Sequence, residues 1–169
     1  MIFDIEVSME NGPSEAEDAD NEITAIAYYL KTTKQYTALI LDPFARIKNQ
    51  RINDCNIIGY RTEKDLLKAF LNQYEKIGPT IISGWNSDFY DIPYLYNRIN
   101  KVLGKVNGER LSPIGLVHYN KNAQSYRLPG VVSYDYMRLY KKFSSGEQAS
   151  YTLEAISQKE LGHGKIQFD

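Results

Sequence analysis

The order of its periodic segments is the feature that most constrains how this chain can fold. Three β-prone segments come first, at Ile2–Val7, Ile23–Leu30 and Gln35–Leu41. The second and third are joined by the short sequence KTTK, which suits a hairpin. A further strand segment at Asn56–Tyr60 precedes a region where helical and strand patterns alternate. Antiparallel strands followed by alternating helix and strand predict an α/β domain with a mixed sheet flanked by helices.

Local signals in the second half predict where the helices begin and end. Thr62 and Asp65 form a variant capping box before an apolar stripe of period 3.6, and Gly78 with Pro79 ends that helix. Gly104 would end the next one. The remaining predicted elements are a strand at Thr80–Trp85, a helix near Ile92–Leu103, a hairpin within Leu116–Leu128, a strand near Val131–Tyr134, and helices near Tyr136–Phe143 and Thr152–Leu161, the last with Ser150 as candidate cap.

Composition limits the class of protein. With 169 residues, 43% of them apolar, the chain can bury a core without disulfides or structural metal, so a bound metal would be functional. Its 20 basic and 21 acidic side chains exclude a protein that grips duplex DNA through phosphates alone. The single cysteine, Cys55, excludes an internal disulfide and fits a reducing compartment. Without a long apolar span or a signal-peptide pattern, we expect a cytoplasmic protein.

The first strand segment carries two carboxylates on one face. In IFDIEV, Asp4 and Glu6 alternate with apolar residues, so they point the same way with Cα atoms ~6.5 Å apart. Their mutual repulsion would be relieved by a divalent cation such as Mg²⁺ or Mn²⁺. The alternative is a solvent-facing strand with acidic decoration. The acidic, aperiodic segment that follows, Ser8–Glu22, predicts an exposed, mobile connector.

More carboxylates lie at predicted junctions between a strand and a helix. In GWNSDFYDIPY, Asp91 precedes the helical pattern and Pro93 suits the first turn, which favours a helix cap. The same position lies at the carboxyl end of a strand, where open α/β sheets bind ligands, so both roles can coexist. Asp88 is interpreted as a solvated turn residue. Asp135 is expected to cap the helix that follows it.

Two of these motifs resemble those of a known family. FDIEV at residues 3–7 and NSDFYD at residues 86–91 are similar to the first and second exonuclease motifs of family B DNA polymerases. The resemblance implies that Asp4, Glu6 and Asp91 are the catalytic, metal-binding acids, and that Asn86 lies in the active site beside bound DNA. Four further segments occur in the order seen in replicative polymerases of large tailed bacteriophages: GWNSDFYDIPYLYNRI, RLSPIG, LYKKF and SYTLEAISQKELGHGK.

The family implies a fold and a function. The expected fold is the ribonuclease H-like exonuclease fold with an inserted β-hairpin. The expected activity is proofreading 3′→5′ hydrolysis of a single-stranded or frayed primer 3′ end, with two divalent metal ions, Mg²⁺ or Mn²⁺, and with the remainder of the polymerase as partner. The hairpin segment resembles the family's hairpin, so Tyr119 and Tyr126 would either stack on bases or pack within the hairpin.

The family's third motif, a Tyr followed four residues later by an Asp, has no match in this sequence. Neither His118 nor His163 has an Asp five residues later, so the His-based variant fails as well. The resemblance therefore predicts a single exonuclease-domain fragment over residues 1–169, without the family's N-terminal and polymerase domains, that is a weak exonuclease in isolation. The alternatives are a non-catalytic nucleic-acid-binding or scaffold fragment and an unrelated ribonuclease H-like nuclease or integrase.

Overall fold

A computed structural model describes residues 1–164, so Lys165 of the last quoted motif and Asp169 lie outside the described residues. The strands are β1 Ile2–Val7, β2 Ile23–Leu30, β3 Gln35–Leu41, β4 Gln50–Ile52, β5 Cys55–Tyr60, β6 Ile81–Gly84, β7 His118–Asn120, β8 Ser125–Arg127 and β9 Val132–Asp135. Seven of these strands form one sheet in the order β4-β5-β3-β2-β1-β6-β9, and β7 pairs with β8 in a separate hairpin. The helices are α1 Glu63–Ile77, α2 Asp91–Leu103, α3 Lys105–Gly108, α4 Tyr136–Phe143 and α5 Leu153–Leu161, with a 3₁₀ turn at Glu109–Leu111.

The pairing is mixed, as predicted. Strands β1, β2 and β3 form an antiparallel meander, and β4 pairs antiparallel with β5. The pairs β3·β5, β1·β6 and β6·β9 are parallel. Strand β4 was not predicted, because three exposed residues carry no burial pattern. The mixed α/β fold with its inserted hairpin is therefore confirmed.

The core lies between the sheet and helices α1 and α2. In β1, Phe3 and Ile5 are buried whereas Asp4 and Glu6 are exposed, so the period-two alternation is confirmed. The apolar stripe of α1 is buried in full: Leu66, Leu67, Phe70, Leu71 and Tyr74. Because the face of β1 that carries Phe3 and Ile5 is buried, the face that carries Asp4 and Glu6 is the one accessible to ligands.

Short-range capping signals correctly predict most helix ends. The Thr62 hydroxyl accepts a hydrogen bond from the backbone N–H of Asp65 (3.1 Å), and Gly78 ends α1 with a left-handed φ of 56°. The prediction for the cap of α5 is wrong by two residues. Its cap is Thr152, which accepts from the Ala155 N–H at 3.2 Å, while the Ser150 hydroxyl accepts from the Thr152 N–H instead.

The opposite face of the sheet carries exposed apolar side chains. The strand register places Ile2, Tyr36, Ile81, Val132 and Tyr134 on this face, and each is about half exposed. Helices α4 and α5 approach one part of it, through Tyr136 and Leu153. Among the helices that the structure describes, none is long and apolar enough to span a membrane.

The acidic segment between β1 and β2 is exposed at most of its positions, as predicted, but its buried residues Ala16, Ala19 and Asn21 pack it against α2, which the prediction missed. Ala19 is fully buried and Asn21 nearly so. Arg98 of α2 donates through Nη1 to the carbonyl oxygens of Ala19 (3.1 Å) and Asp20 (2.8 Å), and it pairs with the buried Glu63 carboxylate at 2.7 Å. These partners lie 35 to 79 residues from Arg98, which is why composition alone missed them.

Candidate functional site

Three parallel strands bring the predicted acidic residues to one edge of the sheet. Strands β1, β6 and β9 run in the same direction, with Ile2 opposite Ser83 and Gly84 opposite Asp135. The carboxyl ends of neighbouring parallel strands meet at one edge, where open α/β sheets bind ligands. The segment 85–90 crosses this edge between β6 and α2.

Two backbone features fix the path of segment 85–90. A Cβ on Gly84 would lie 2.7 Å from the Phe3 carbonyl oxygen and 2.8 Å from the Ser87 Cβ, so only glycine allows β6 to approach β1 here. Asn86 has a left-handed φ of 63°, and its carbonyl accepts from the N–H groups of Phe89 and Tyr90 at 3.1 and 3.0 Å. The resulting tight turn brings the start of α2 back against β1.

Asp91 is the central carboxylate of this edge. It is the first residue of α2, with only 3% of its surface exposed. Its Oδ1 accepts a hydrogen bond from the backbone N–H of Ile5 at 3.1 Å. The prediction that Asp91 is the N-cap is wrong: Tyr90 holds that position and makes no capping bond through its side chain. The carboxylate is instead directed across to β1, between the positions of Asp4 and Glu6 along the strand.

The electrostatic environment of Asp91 disfavours its charged form. Its pKa is raised to about 7, chiefly by burial and then by the neighbouring Asp4 carboxylate, with Asp135 adding a smaller effect. Hydrogen bonds from the N–H groups of Ile5 and Asp91 itself lower this pKa without cancelling those effects. A buried carboxylate with a raised pKa at a sheet edge is a candidate functional group.

The two β1 acids share the solvent-facing side of β1 with Ile2, and Asp4 lies near Asp91. Asp4 and Glu6 are exposed and alternate with buried Phe3 and Ile5. The Asp4 carboxylate helps to raise the pKa of Asp91. Burial chiefly raises the pKa of the Tyr90 phenol, and Glu6 makes the last of several smaller contributions. Hard carboxylate oxygens suit Mg²⁺ or Mn²⁺, and a cation would relieve the Asp4–Asp91 repulsion. Within residues 1–164, however, no three His, Cys, Asp or Glu side chains are gathered closely enough to form a complete metal cluster.

Asp88 is a buried structural residue, so its prediction as a solvated turn residue is wrong. Its carboxylate accepts from the Ser133 hydroxyl and from Arg138 Nη1 (3.0 Å). Its backbone N–H donates to Asp135 Oδ2 at 3.0 Å. Asp135 in turn caps α4 through the Arg138 N–H, at 3.2 Å, which confirms the prediction for Asp135. This network, absent from the sequence prediction, ties segment 85–90 to β9 and α4.

The predicted DNA contacts remain predictions. Asn86 is partly buried in the turn described above. The Tyr126 hydroxyl donates to Asn97 Oδ1 at 3.1 Å, and its ring lies 4.8 Å from that of Tyr96, so Tyr126 packs the hairpin onto α2. Tyr119 is 46% exposed and its ring lies 5.2 Å from that of Tyr126. Of the two hairpin tyrosines, Tyr119 has the more accessible ring.

A mixed sheet with carboxylates from β1 and from the start of α2 near the ends of its parallel strands defines an α/β domain with acidic residues at one sheet edge. A more specific assignment comes from comparison with known proteins. The family model for the exonuclease domain of DNA polymerase family B matches residues 1–156. The chain therefore belongs to this exonuclease-domain family, and its ribonuclease H-like fold follows the prediction.

Individual relatives are DNA polymerases from viruses and from yeast. The DNA-directed DNA polymerase of Escherichia phage RB69 is 31% identical over 194 aligned residues, which cover 99% of this chain and 22% of that protein. The polymerase of Enterobacteria phage T4 is 35% identical, over 65% of this chain and 13% of its own length. The catalytic chain of DNA polymerase epsilon from Saccharomyces cerevisiae is 28% identical, over 100% of this chain and 8% of its own. The chain thus spans about a fifth or less of these relatives.

Proposed function

We propose that this chain is the proofreading 3′→5′ exonuclease domain of a DNA-directed DNA polymerase, and that Asp4, Glu6 and Asp91 are its metal-binding catalytic acids. The observation that carries the proposal is the position of Asp91, whose buried carboxylate is bonded to the Ile5 N–H beside Asp4. The family match gives the chemical class. The phage relatives are DNA-directed DNA polymerases, which supports the proposal that this domain is part of a polymerase.

The acids have distinct proposed roles. Asp4 and Asp91 would bind one cation between them, because its positive charge would neutralise two neighbouring carboxylates that repel each other. Glu6, two residues along the same strand face, would contribute oxygen to the neighbouring position. Divalent metal at such a site supplies an activated water and stabilises charge on the departing 3′ oxygen. The hydrogen bond from Ile5 holds Asp91 in place without needing the cation.

Asn86, Tyr119 and Tyr126 are proposed to act on the DNA rather than on the metal. The substrate would be a single-stranded or frayed primer 3′ end, and the remainder of the polymerase would be the protein partner. Tyr119 is the better candidate for stacking on a base because its ring is exposed. Tyr126 would instead pack against the Tyr119 ring and hold it in place.

One observation favours a second function. Among the described side chains no complete three-ligand group is assembled, which is what a non-catalytic DNA-binding or scaffold fragment would display. The two functions differ in turnover. A scaffold would bind single-stranded DNA without releasing nucleotides, at any concentration of Mn²⁺.

Nucleotide release separates these functions. Single-stranded DNA labelled at its 3′ end should lose labelled mononucleotides in Mn²⁺, slowly for the isolated chain, and not in chelator. The Asp4→Ala and Asp91→Asn variants should abolish the release, while Asp18→Asn, at an exposed position in the segment after β1, should not. Equal release by Asp4→Ala and the unsubstituted chain would contradict the proposal, and binding without release would support the scaffold.

A further inference from the structure

We infer that one face of α4, with the Phe89 ring beside it, binds the single-stranded DNA that leads to the acidic site. This inference deepens the proposed function and rests on it for the identity of the ligand. We call the surface the α4 basic face and define it by Arg138, Lys141 and Lys142. None of these residues belongs to the acidic site or to the hairpin.

The three basic residues share one side of the helix. They follow the spacing i, i+3 and i+4, which places side chains next to each other on a helix surface. The sequence of α4, YMRLYKKF, contains no acidic residue. Like charges at this spacing destabilise a helix by a few tenths of a kcal/mol. An anionic ligand along the face would reverse the sign of that effect.

Each of the three cations lies over an aromatic ring. The Arg138 guanidinium carbon is 5.6 Å from the centre of the Phe89 ring, Lys141 Nζ is 4.6 Å from that of Tyr151, and Lys142 Nζ is 5.5 Å from that of Phe143. Phe89 and Phe143 are 40% and 76% exposed. Positive charge interleaved with accessible rings is the arrangement that binds single strands, whose phosphates pair with cations while unstacked bases stack on rings. Duplex DNA offers no such bases.

The α4 basic face begins at the acidic site. Phe89 is two residues from Asp91, and α4 starts directly after Asp135 at the same sheet edge. Arg138 Nη1 also donates to the buried Asp88 carboxylate at 3.0 Å, which holds the guanidinium beside Phe89 and leaves half of the side chain exposed. A DNA strand bound along α4 would therefore approach Asp91 where it passes the Phe89 ring.

The dimensions suit a few nucleotides. Eight helical residues extend about 12 Å, long enough to lie along a short stretch of a single strand. Arg138 forms a salt bridge with Asp88, while the ammonium groups of Lys141 and Lys142 lie over aromatic rings on exposed side chains. Since the whole chain has a net charge of −1, this local excess of positive charge is not a general property of the surface.

Binding of a 5′-labelled oligothymidylate, measured by fluorescence anisotropy in EDTA, tests the inference without metal or turnover. The double variant Lys141→Gln/Lys142→Gln should bind more weakly and reduce the slope of log K against log salt by about 1.4, at about 0.7 per phosphate contact. The matched control is Lys64→Gln/Lys68→Gln, which removes the same charge from an exposed face of α1. It should leave affinity and slope nearly unchanged.

The aromatic contribution has its own matched pair. Phe89→Ala should weaken binding about 5- to 150-fold, since stacking contributes ~1–3 kcal/mol per base. Phe44→Ala is the control, because Phe44 is 74% exposed and also lies under an arginine, Arg46, at 4.7 Å, in the loop between β3 and β4. The control should bind like the unsubstituted chain.

Each result decides the question. Equal affinity of the α4 and α1 double variants, equal binding of duplex DNA, or absence of binding by the unsubstituted chain would overturn the inference. Loss of binding in the α4 and Phe89 variants alone would support it even if Mn²⁺-dependent hydrolysis proved absent. In that event the proposed exonuclease activity would be refuted, and the inference that the α4 basic face binds single-stranded DNA would still hold.

Discussion

The carboxylate of Asp91 accepts a hydrogen bond from the backbone N–H of Ile5, at 3.1 Å and across 86 positions of the chain. This bond joins the start of α2 to the middle of β1, between the two exposed acids of that strand. Because the bond donor is backbone, it holds Asp91 in place whatever the protonation state of Asp4. The bond joins the two elements of the acidic site, and it lowers the pKa of Asp91 without cancelling the larger effect of burial.

The first prediction concerns pH. The pKa of Asp91 is raised from 3.8 to about 7, so between those values the folded state binds a proton that the unfolded state releases. Stability from this group is thus fully present below about pH 4 and is lost as pH rises through 7. Asp91→Asn, which is neutral throughout, should exceed the unsubstituted chain in free energy of unfolding by a few kcal/mol at most at pH 8. Urea unfolding at pH 4 and pH 8 measures this.

The difference between the two proteins should vanish near pH 4, where both side chains are uncharged in the folded state. Asp18→Asn, at an exposed position, serves as control and should follow the unsubstituted chain at both pH values. An Asp91→Asn variant that is equally or less stable at pH 8 would indicate that burial does not disfavour the Asp91 charge.

The second prediction concerns Asp88. Asp88→Ala should destabilise the fold by ~1–3 kcal/mol, because it leaves the Ser133 hydroxyl without its acceptor and removes the ion pair of Arg138. Chemical denaturation gives the free energy of unfolding, with Asp18→Ala as the exposed counterpart. If the two variants were equally stable, Asp88 would be the solvated turn residue that its sequence context suggests.

The third prediction concerns the buried pair of Arg98 and Glu63. Arg98→Ala should cost about 3–5 kcal/mol, since it leaves the Glu63 carboxylate buried and removes the donor to the Ala19 and Asp20 carbonyls. Arg110→Ala removes a similar pair with Glu75, but there the side chains are 27% and 45% exposed, so about 1 kcal/mol or less is expected. Urea unfolding of both variants measures the two losses, and equal losses would contradict the proposed role of burial.

The fourth prediction concerns turnover by the isolated chain. No Asp in this sequence follows a Tyr by four residues, so residues 1–169 tested alone would offer the carboxylates of the first two motifs without that of the third. Release of 3′ nucleotides in Mg²⁺ should therefore be slow, because metal binding and water placement both depend on the full set of ligands. Robust release in Mg²⁺ that Asp4→Ala abolishes would refute this expectation.

Short-range patterns in the sequence were enough to predict most of the fold. The alternation of Phe3 and Ile5 with Asp4 and Glu6, the Thr62 cap and the Asp135 cap each depend on residues within a few positions. Such signals act through local backbone geometry, so they can be recognised without knowing the tertiary structure.

The errors fall mainly on residues whose partners are distant in sequence. Asp88 bonds to residues 45 to 50 positions away, and Arg98 reaches the segment after β1 across up to 79 positions. A polar residue in an aperiodic segment is exposed by default, and only tertiary packing reveals that it is buried. Asp91 was identified through its motif, while its bond to Ile5 required the structure.

The most direct test of the central claim, that Asp4 and Asp91 hold a divalent cation together, is an isothermal titration with Mn²⁺ at pH 8. The unsubstituted chain should bind Mn²⁺, and Asp4→Ala and Asp91→Asn should each lose that binding, whereas the exposed control Asp18→Asn should retain it. Indistinguishable Mn²⁺ isotherms for the unsubstituted chain and Asp91→Asn would contradict the claim.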